Sequence, residues 1–354
     1  MMKKSRVITI GGVKIGGANP LIVQSMTNTR TEDIDATVGQ IHRLESAGCE
    51  MVRVAVPTLK AARALSHIKQ QINIPLVADI HFDYKLALAA ADHVDKLRIN
   101  PGNIGSLDAV RAVVSKCKEK KIPIRIGVNL GSIDKEIALT FGRGSKALVE
   151  SAKKHIMVLE KEKFDQIVVS LKSSDVRIMY EANREFRQQF DYPLHLGVTE
   201  AGVTMSGAIK SAVGIGALVL QGIGETIRVS LSGDPVHEIP VAYQILIACG
   251  VRKRGREIIS CPTCGRTHGD LAYMAHEIEK RTDHIKAPLK IAVMGCEVNG
   301  PGEAKEADIG MALGDGCAIV FVKGNFIKKV SGPPEDIING FLEQMRVDFP
   351  EALQ

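Results

Sequence analysis

The chain has 354 residues, 45% hydrophobic and 24% charged, with a formal net charge of +6; this is enough for one large core and a second, smaller one. An aromatic content of 4% without Trp excludes the stacking platforms of a single-strand nucleic-acid binder, and the basic residues are too scattered for a DNA-binding footprint. Seven cysteines are too sparse for a disulfide framework, MMKKSR leads into VITI without the apolar length of a signal peptide, and the apolar run Val213–Leu220 is too short to span a bilayer, so a reducing, cytoplasmic setting is expected.

VITIGGVKIGG reads as a hairpin with glycine turns, suited to plugging the bottom of a barrel. Eight β-branched runs follow: Leu21–Met26, Met51–Val56, Pro75–Phe82, Asp95–Asn100, Pro123–Asn129, Gln166–Lys172, Leu194–Glu200 and Thr226–Ser232. Each precedes a helical pattern. After the first run, Ile34, Val38, Ile41 and Leu44 share one helical face, and Thr29 with Glu32 fits a capping box. Strand–helix alternation repeated eight times over about 250 residues predicts a (β/α)8 TIM barrel. An open doubly wound sheet has fewer strands, and Gly214-Ile-Gly216 and Gly222-Ile-Gly224 both lack the third glycine of its dinucleotide fingerprint. The texture changes after residue 250. The basic run Arg252–Arg256 reads as a solvated linker and leads to EIISCPTCGRT. A helix over Gly269–Arg281, strands over Lys290–Cys296, Ala307–Leu313 and Cys317–Gly324, and a helix over Pro334–Val347 complete a smaller α+β domain. The expected division is residues 1–250 and 251–354.

TIM-barrel sites lie at the C-terminal ends of the strands. The residues there are Gln24, Ser25, Arg53, Asp79, His81, Arg98, Asn100, Arg125, Asn129, Lys172, Glu200, Arg228 and Ser232. Arg53, Arg98, Arg125 and Lys172 come from different strands and converge in a barrel, and guanidinium forks suit phosphate oxygens. Internal salt bridges to Asp79, Asp95 or Glu200 are the competing reading for each of them. Glu200 is the best acid–base candidate, whereas His195 lies mid-strand and reads as a hydrogen-bonded core histidine.

Cys261 and Cys264 form a C-x-x-C pair and Cys296 lies on a second loop, GCEVNGPGEA. Three thiolates suit zinc or an iron–sulfur cluster. A fourth cysteine is not evident: Cys49, Cys117 and Cys249 read as structural, and Cys317 as buried. A zinc site would choose His268. A cluster could take Glu303, because Gly300-Pro301-Gly302 lets the backbone turn back. An oxygen ligand is exchangeable and would leave one metal open to substrate.

CPTCGR, GCEVNGPGEA and ADIG, with QSMTNT, VRVAVPT, DIHF, RINPGN, GVNLGS, SLKSSD and GVTEAG upstream, closely resemble the 4-hydroxy-3-methylbut-2-enyl diphosphate synthase family in its two-domain bacterial form. The resemblance implies a dihydropteroate-synthase-like TIM barrel for substrate binding, followed by a domain like the sulfite-reductase cluster domain. It implies a [4Fe-4S] cluster on Cys261, Cys264, Cys296 and Glu303. The substrate would be 2-C-methyl-D-erythritol 2,4-cyclodiphosphate, reduced by two electrons from flavodoxin or ferredoxin. Arg53, Arg98, Arg125, Asn129 and Lys172 would grip the diphosphate, with Arg256 as a further candidate. Asn299 would hydrogen-bond the substrate, and Glu200 would act at the reacting carbon. A homodimer is implied, with the cluster domain of one subunit capping its partner's barrel. The alternative is a phosphate-binding barrel transferase with a structural zinc, for which Glu303 would be dispensable. A plain electron carrier would leave the arginines unexplained.

Overall fold

The computed structural model describes residues 4–100, 102–296 and 304–352, and the chain divides into two compact units, Met1–Arg252 and Lys253–Gln354. The first opens with strands β1 (Ile8–Ile10) and β2 (Val13–Ile15), paired antiparallel. Eight parallel strands follow: β3 (Ile22–Met26), β4 (Met51–Ala55), β5 (Leu76–Asp79), β6 (Lys96–Ile99), β7 (Ile124–Asn129), β8 (Ile167–Lys172), β9 (His195–Leu196) and β10 (Thr226–Ile227). Their spatial order is β8-β7-β6-β5-β4-β3-β10-β9, and a parallel bridge from Val169 to Leu194 joins the two ends. The sheet is therefore the expected (β/α)8 barrel.

Helices cover its outside: α1 (Ile34–Ala47), α2 (Leu59–Gln70), α3 (Tyr84–Ala90), α4 (Leu107–Lys120), α5 (Lys135–Phe141), α6 (Ser145–Lys161), α7 (Val176–Gln189), α8 (Thr204–Val219) and α9 (Glu238–Ala248). Ile41 and Leu44 of α1, Leu65 and Ile68 of α2 and Leu148 and Ile156 of α6 pack with outward strand residues such as Val54, Leu97 and Ile126 in one cluster. The cap of α1 differs from the expected Thr29–Glu32 box. Asp33 accepts the Ala36 N–H at 3.1 Å, and Glu32 instead accepts the Thr58 hydroxyl at 2.6 Å. Asp33 wins because it stands directly before the first helical turn. The hairpin closes the barrel floor, where Ile8, Ile10 and Ile15 form a separate apolar cluster with Ile22, Met51, Val77 and Val168 at the strand starts.

β9 and β10 are only two residues long, against seven expected for each. At β9 the ladder stops at Gly197, where a side chain would come within 2.6 Å of the Arg228 carbonyl. Glu225 anchors both strand starts, pairing with the fully buried Arg187 at 2.8 Å and accepting the Leu194 N–H.

The second unit is a five-stranded sheet in the order β11 (Arg256–Ser260), β12 (Leu289–Met294), β13 (Ile309–Gly314), β14 (Cys317–Val322) and β15 (Asn325–Ser331). β11, β12 and β13 run parallel, while β14 and β15 form an antiparallel hairpin. Helices α10 (Leu271–Arg281) and α11 (Pro334–Asp348) cover one face, where Met274, Ile278, Phe341 and Met345 pack on Ile291, Met311 and Val320. The basic run is structured rather than a free linker. Arg252 pairs with Glu50 at 2.8 Å, and Arg256 lies in β11.

Candidate active site

Alternation along a strand sends one set of side chains outward and the other into the lumen. TIM barrels ordinarily fill that lumen with branched apolar groups. Above the hairpin floor this one holds Arg53, Asp79, Lys96, Arg98, Arg125 and Lys172, none more than 9% exposed. Missing side chains make the room. A Cβ at Gly127 would lie 2.7 Å from Nη2 of Arg98, and one at Gly197 would lie 2.9 Å from Nζ of Lys172. Gly127→Ala should therefore displace Arg98 from Asp79. We expect a stability loss of ~1–3 kcal/mol from overpacking and a KM raised about tenfold at little cost to kcat, the signature of lost ground-state grip. Denaturant titration and steady-state kinetics check both.

Few of these charges are neutralised. Arg98 Nη1 donates to Asp79 Oδ1 at 2.9 Å and to Nε2 of His81 at 2.6 Å, and Arg53 Nε stands 3.8 Å from the other Asp79 oxygen. Burial works against ionisation of Asp79. The charges of Arg53 and Arg98 still hold its carboxyl far below the usual carboxylate range. Arg228 is bound twice by Glu238, at 3.1 Å each, and Glu238 also accepts the Ser25 hydroxyl at 2.8 Å. Ser25 thus faces away from the mouth where it was expected.

The remaining lumen cations, Lys96, Arg125 and Lys172, have no ion-pair partner among the described residues. Nε, Nη1 and Nη2 of Arg125 lack any hydrogen-bond partner among the described residues, as does Nε of Arg98. Among the described residues Lys96 reaches only Oε1 of Gln24, at 3.4 Å, and Sδ of Met51, at 3.1 Å. Burial, followed by mutual repulsion, pushes Lys96, Arg125 and Lys172 well below their usual ranges. Burial likewise brings Arg53 down to about 10. An unpaired buried cation costs several kcal/mol. A small polyanion would supply the missing acceptors, and planar guanidinium forks match phosphate geometry.

A cavity of about 340 Å³ opens onto this constellation and is lined by Arg53, Arg98, Arg125, Asn129, Lys172 and Glu200. These are the six residues the sequence placed at the barrel mouth for grip and acid–base work. An adjoining cavity of about 500 Å³ shares Asn129, Thr199 and Glu200 and adds Arg143. Glu200 is exposed at the rim with φ +52°, a conformation costing roughly 1–2 kcal/mol for a residue with a side chain. His195 is a buried core histidine, as expected. Its Nδ1 lies 2.8 Å from the Thr226 hydroxyl, and burial among cations keeps the ring well below its usual range. Lys96 and Arg143 were missed. Lys96 could have been found, because it stands two residues before Arg98 and so shares its face of the strand.

In the second unit, Cys261 and Cys296 follow the C-terminal ends of β11 and β12, which run in register with Ser260 opposite Val293. The Gly295 N–H donates to Sγ of Cys261 at 3.2 Å. Backbone N–H donation from Arg266, followed by the Thr267 hydroxyl, pulls the exposed Cys264 thiol below its usual range. Such donors stabilise thiolates and are the usual surroundings of iron–sulfur sulfurs. Among the described residues no three His, Cys, Asp or Glu side chains converge on a single ion position. Three thiols on the loops that follow β11 and β12 are the kind of donor set an iron–sulfur cluster takes. The thiol set fits a cluster. Glu303 and Asn299 lie outside the described residues. Arg256 is engaged within its own unit, with Asp283 at 3.1 Å and the Glu279 carbonyl at 2.9 Å.

Residues 5–243 match the GcpE TIM-barrel domain and residues 257–347 the GcpE protein C-terminal domain. Relatives named 4-hydroxy-3-methylbut-2-en-1-yl diphosphate synthase (flavodoxin) include that of Caldanaerobacter subterraneus subsp. tengcongensis, 58% identical over 93% of this chain and 94% of the relative. That of Fusobacterium nucleatum subsp. nucleatum is 57% identical over 100% and 99%. Among solved structures, the dihydropteroate synthase of Yersinia pestis superposes with a TM-score of 0.52 at 13% identity, over 69% of this chain and 97% of that one, a likeness of fold alone. Two matched domains and full-length relatives agree with a cation-lined barrel and a three-thiol sheet end, and the chain belongs to the GcpE family, the 4-hydroxy-3-methylbut-2-en-1-yl diphosphate synthases.

Proposed function

We propose that the barrel mouth grips the diphosphate of 2-C-methyl-D-erythritol 2,4-cyclodiphosphate while electrons arrive through a [4Fe-4S] cluster held by Cys261, Cys264, Cys296 and Glu303. The observation that carries this reading is Arg125, fully buried with three unpartnered nitrogens. In the family's reaction the ring opens at the C2–O bond, the C3 hydroxyl leaves as water, and a C2=C3 double bond forms. Two electrons and two protons balance it. Arg53, Arg98, Arg125 and Lys172 neutralise the diphosphate oxygen freed at C2 and so assist that bond's cleavage. Asn129 orients the diphosphate, and Glu200, at the rim, donates the proton that lets the hydroxyl leave as water. Asn299 hydrogen-bonds the substrate, and Arg256 is a weaker candidate for the same task. The cluster, when bound, supplies the electrons one at a time and a Lewis-acidic open iron.

The barrel unit is then the substrate domain and the second unit the cluster domain. The donor is flavodoxin, as in the names of the relatives, or a ferredoxin. A homodimer belongs to this reading, supported by an exposed apolar stripe, Met205, Ile209 and Val213, at four-residue spacing on α8. Electron paramagnetic resonance on anaerobically purified, dithionite-reduced protein tests the proposal. A reduced-cubane signal that changes on adding the cyclodiphosphate is expected. Stoichiometric zinc without a cluster would overturn it.

A further inference from the structure

Resting on the proposed electron-transfer role, we propose that the outer strand β15 is the docking surface for the electron donor, a small acidic flavoprotein. β15 is an edge strand of the second unit. Its helix-side residue Val330 packs into the core beneath α11, but Phe326 is 65% exposed and Ile327 41%. Lys329 shares the Phe326 face of the sheet, Lys328 lies on the helix-side face and Lys323 stands just before the strand, and none has an ion-pair partner among the described residues. From Gly316 to Pro334 the chain contains no Asp or Glu. An edge strand that exposes apolar side chains flanked by uncompensated cations is complementary to an acidic protein surface, and such patches steer encounter.

The register of the sheet joins this edge to the thiols. Lys329 lies opposite Ile319, Ile319 opposite Ala312, and Ala312 opposite Met294, two residues before Cys296. That row crosses three strand spacings, roughly 14 Å. A carrier seated on β15 therefore stands one short sheet-width from the thiol end. Lysines on an edge strand also serve to block edge-to-edge pairing, and this is the competing explanation.

The test compares turnover of the holoenzyme driven by reduced flavodoxin with turnover driven by reduced methyl viologen, which needs no docking surface. For the Lys328→Glu, Lys329→Glu double variant and for Phe326→Ser, the KM for flavodoxin should rise about tenfold. The wild-type salt dependence should flatten in the double variant, and viologen-driven turnover should remain within twofold of wild type, which also reports an intact fold. Unchanged flavodoxin KM and salt response would overturn the proposal and leave the lysines as edge protection. Wild-type turnover with viologen but not with flavodoxin would also overturn it while sparing the catalytic reading. Turnover with neither donor would remove both.

Discussion

Replacing Arg125 with methionine is expected to stabilise the ligand-free protein while disabling it. The guanidinium is wholly buried, its three nitrogens have no partner among the described residues, and Arg53 and Arg98 repel it. An apolar side chain of similar volume removes an unpaired charge from a low-dielectric lumen. Exchanges of buried charges for apolar groups are often neutral or stabilising, by ~1–4 kcal/mol. The same exchange withdraws a charged fork from the diphosphate. Loss of a buried charge-assisted contact costs ~2–5 kcal/mol, or roughly thirtyfold to several thousandfold in kcat/KM. Thermal melts without ligand, set beside steady-state kinetics, check both halves. A melting temperature that fell with activity would mean that Arg125 holds the barrel together rather than waiting for an anion.

Asp79→Asn should act in the opposite sense. Asp79 is the carboxylate shared by Arg53 and Arg98. Removing its charge leaves both cations unpaired, at a cost of ~3–5 kcal/mol. Pyrophosphate at millimolar concentration should restore much of that loss, because it binds only the folded state and supplies the missing charge. Urea unfolding with and without pyrophosphate measures this. The pH dependence has a defined sign. A carboxyl depressed on folding contributes stability above its unfolded value, near ~3.9, and loses it as pH falls toward the folded value. The wild type should therefore forfeit the Asp79 contribution only in acid below about pH 4, and the asparagine variant should lack that step.

The barrel was legible because its outward strand faces are Val, Ile and Leu backed by amphipathic helices, a pattern that repetition makes hard to mistake. The elements that escaped are those whose cause is tertiary. α5 is a seven-residue helix set between glycines, too short for periodicity to register. β11 and β15 are edge strands with little buried surface, so their burial leaves a faint alternation in the sequence. β9 and β10 were overestimated because Val198 and Val229 continue the β-branched pattern after the ladder has ended. At the site, Arg53, Arg98, Arg125, Asn129, Lys172 and Glu200 were readable because barrel geometry tells where strand ends meet. Lys96 lies at a strand's start rather than at its end, so its signal is only the two-residue spacing that puts it on the same face as Arg98. Which cations are paired could not be read either, since Asp79 and Glu238 make their choices across the lumen.

The hairpin that closes the floor with Ile8, Ile10 and Ile15 also governs traffic. A vessel sealed at one end has a single door, and whatever is made inside must back out past what drew the substrate in. Substrate and product carry the same two phosphoryl groups, and the product adds the oxygen freed at C2, so under the proposed grip the cationic wall would hold the product at least as strongly as the substrate. If Arg53 and Lys172 grip the diphosphate as proposed, departure past them would be the slow leg of the cycle, and lingering product would occupy the seat the next substrate needs.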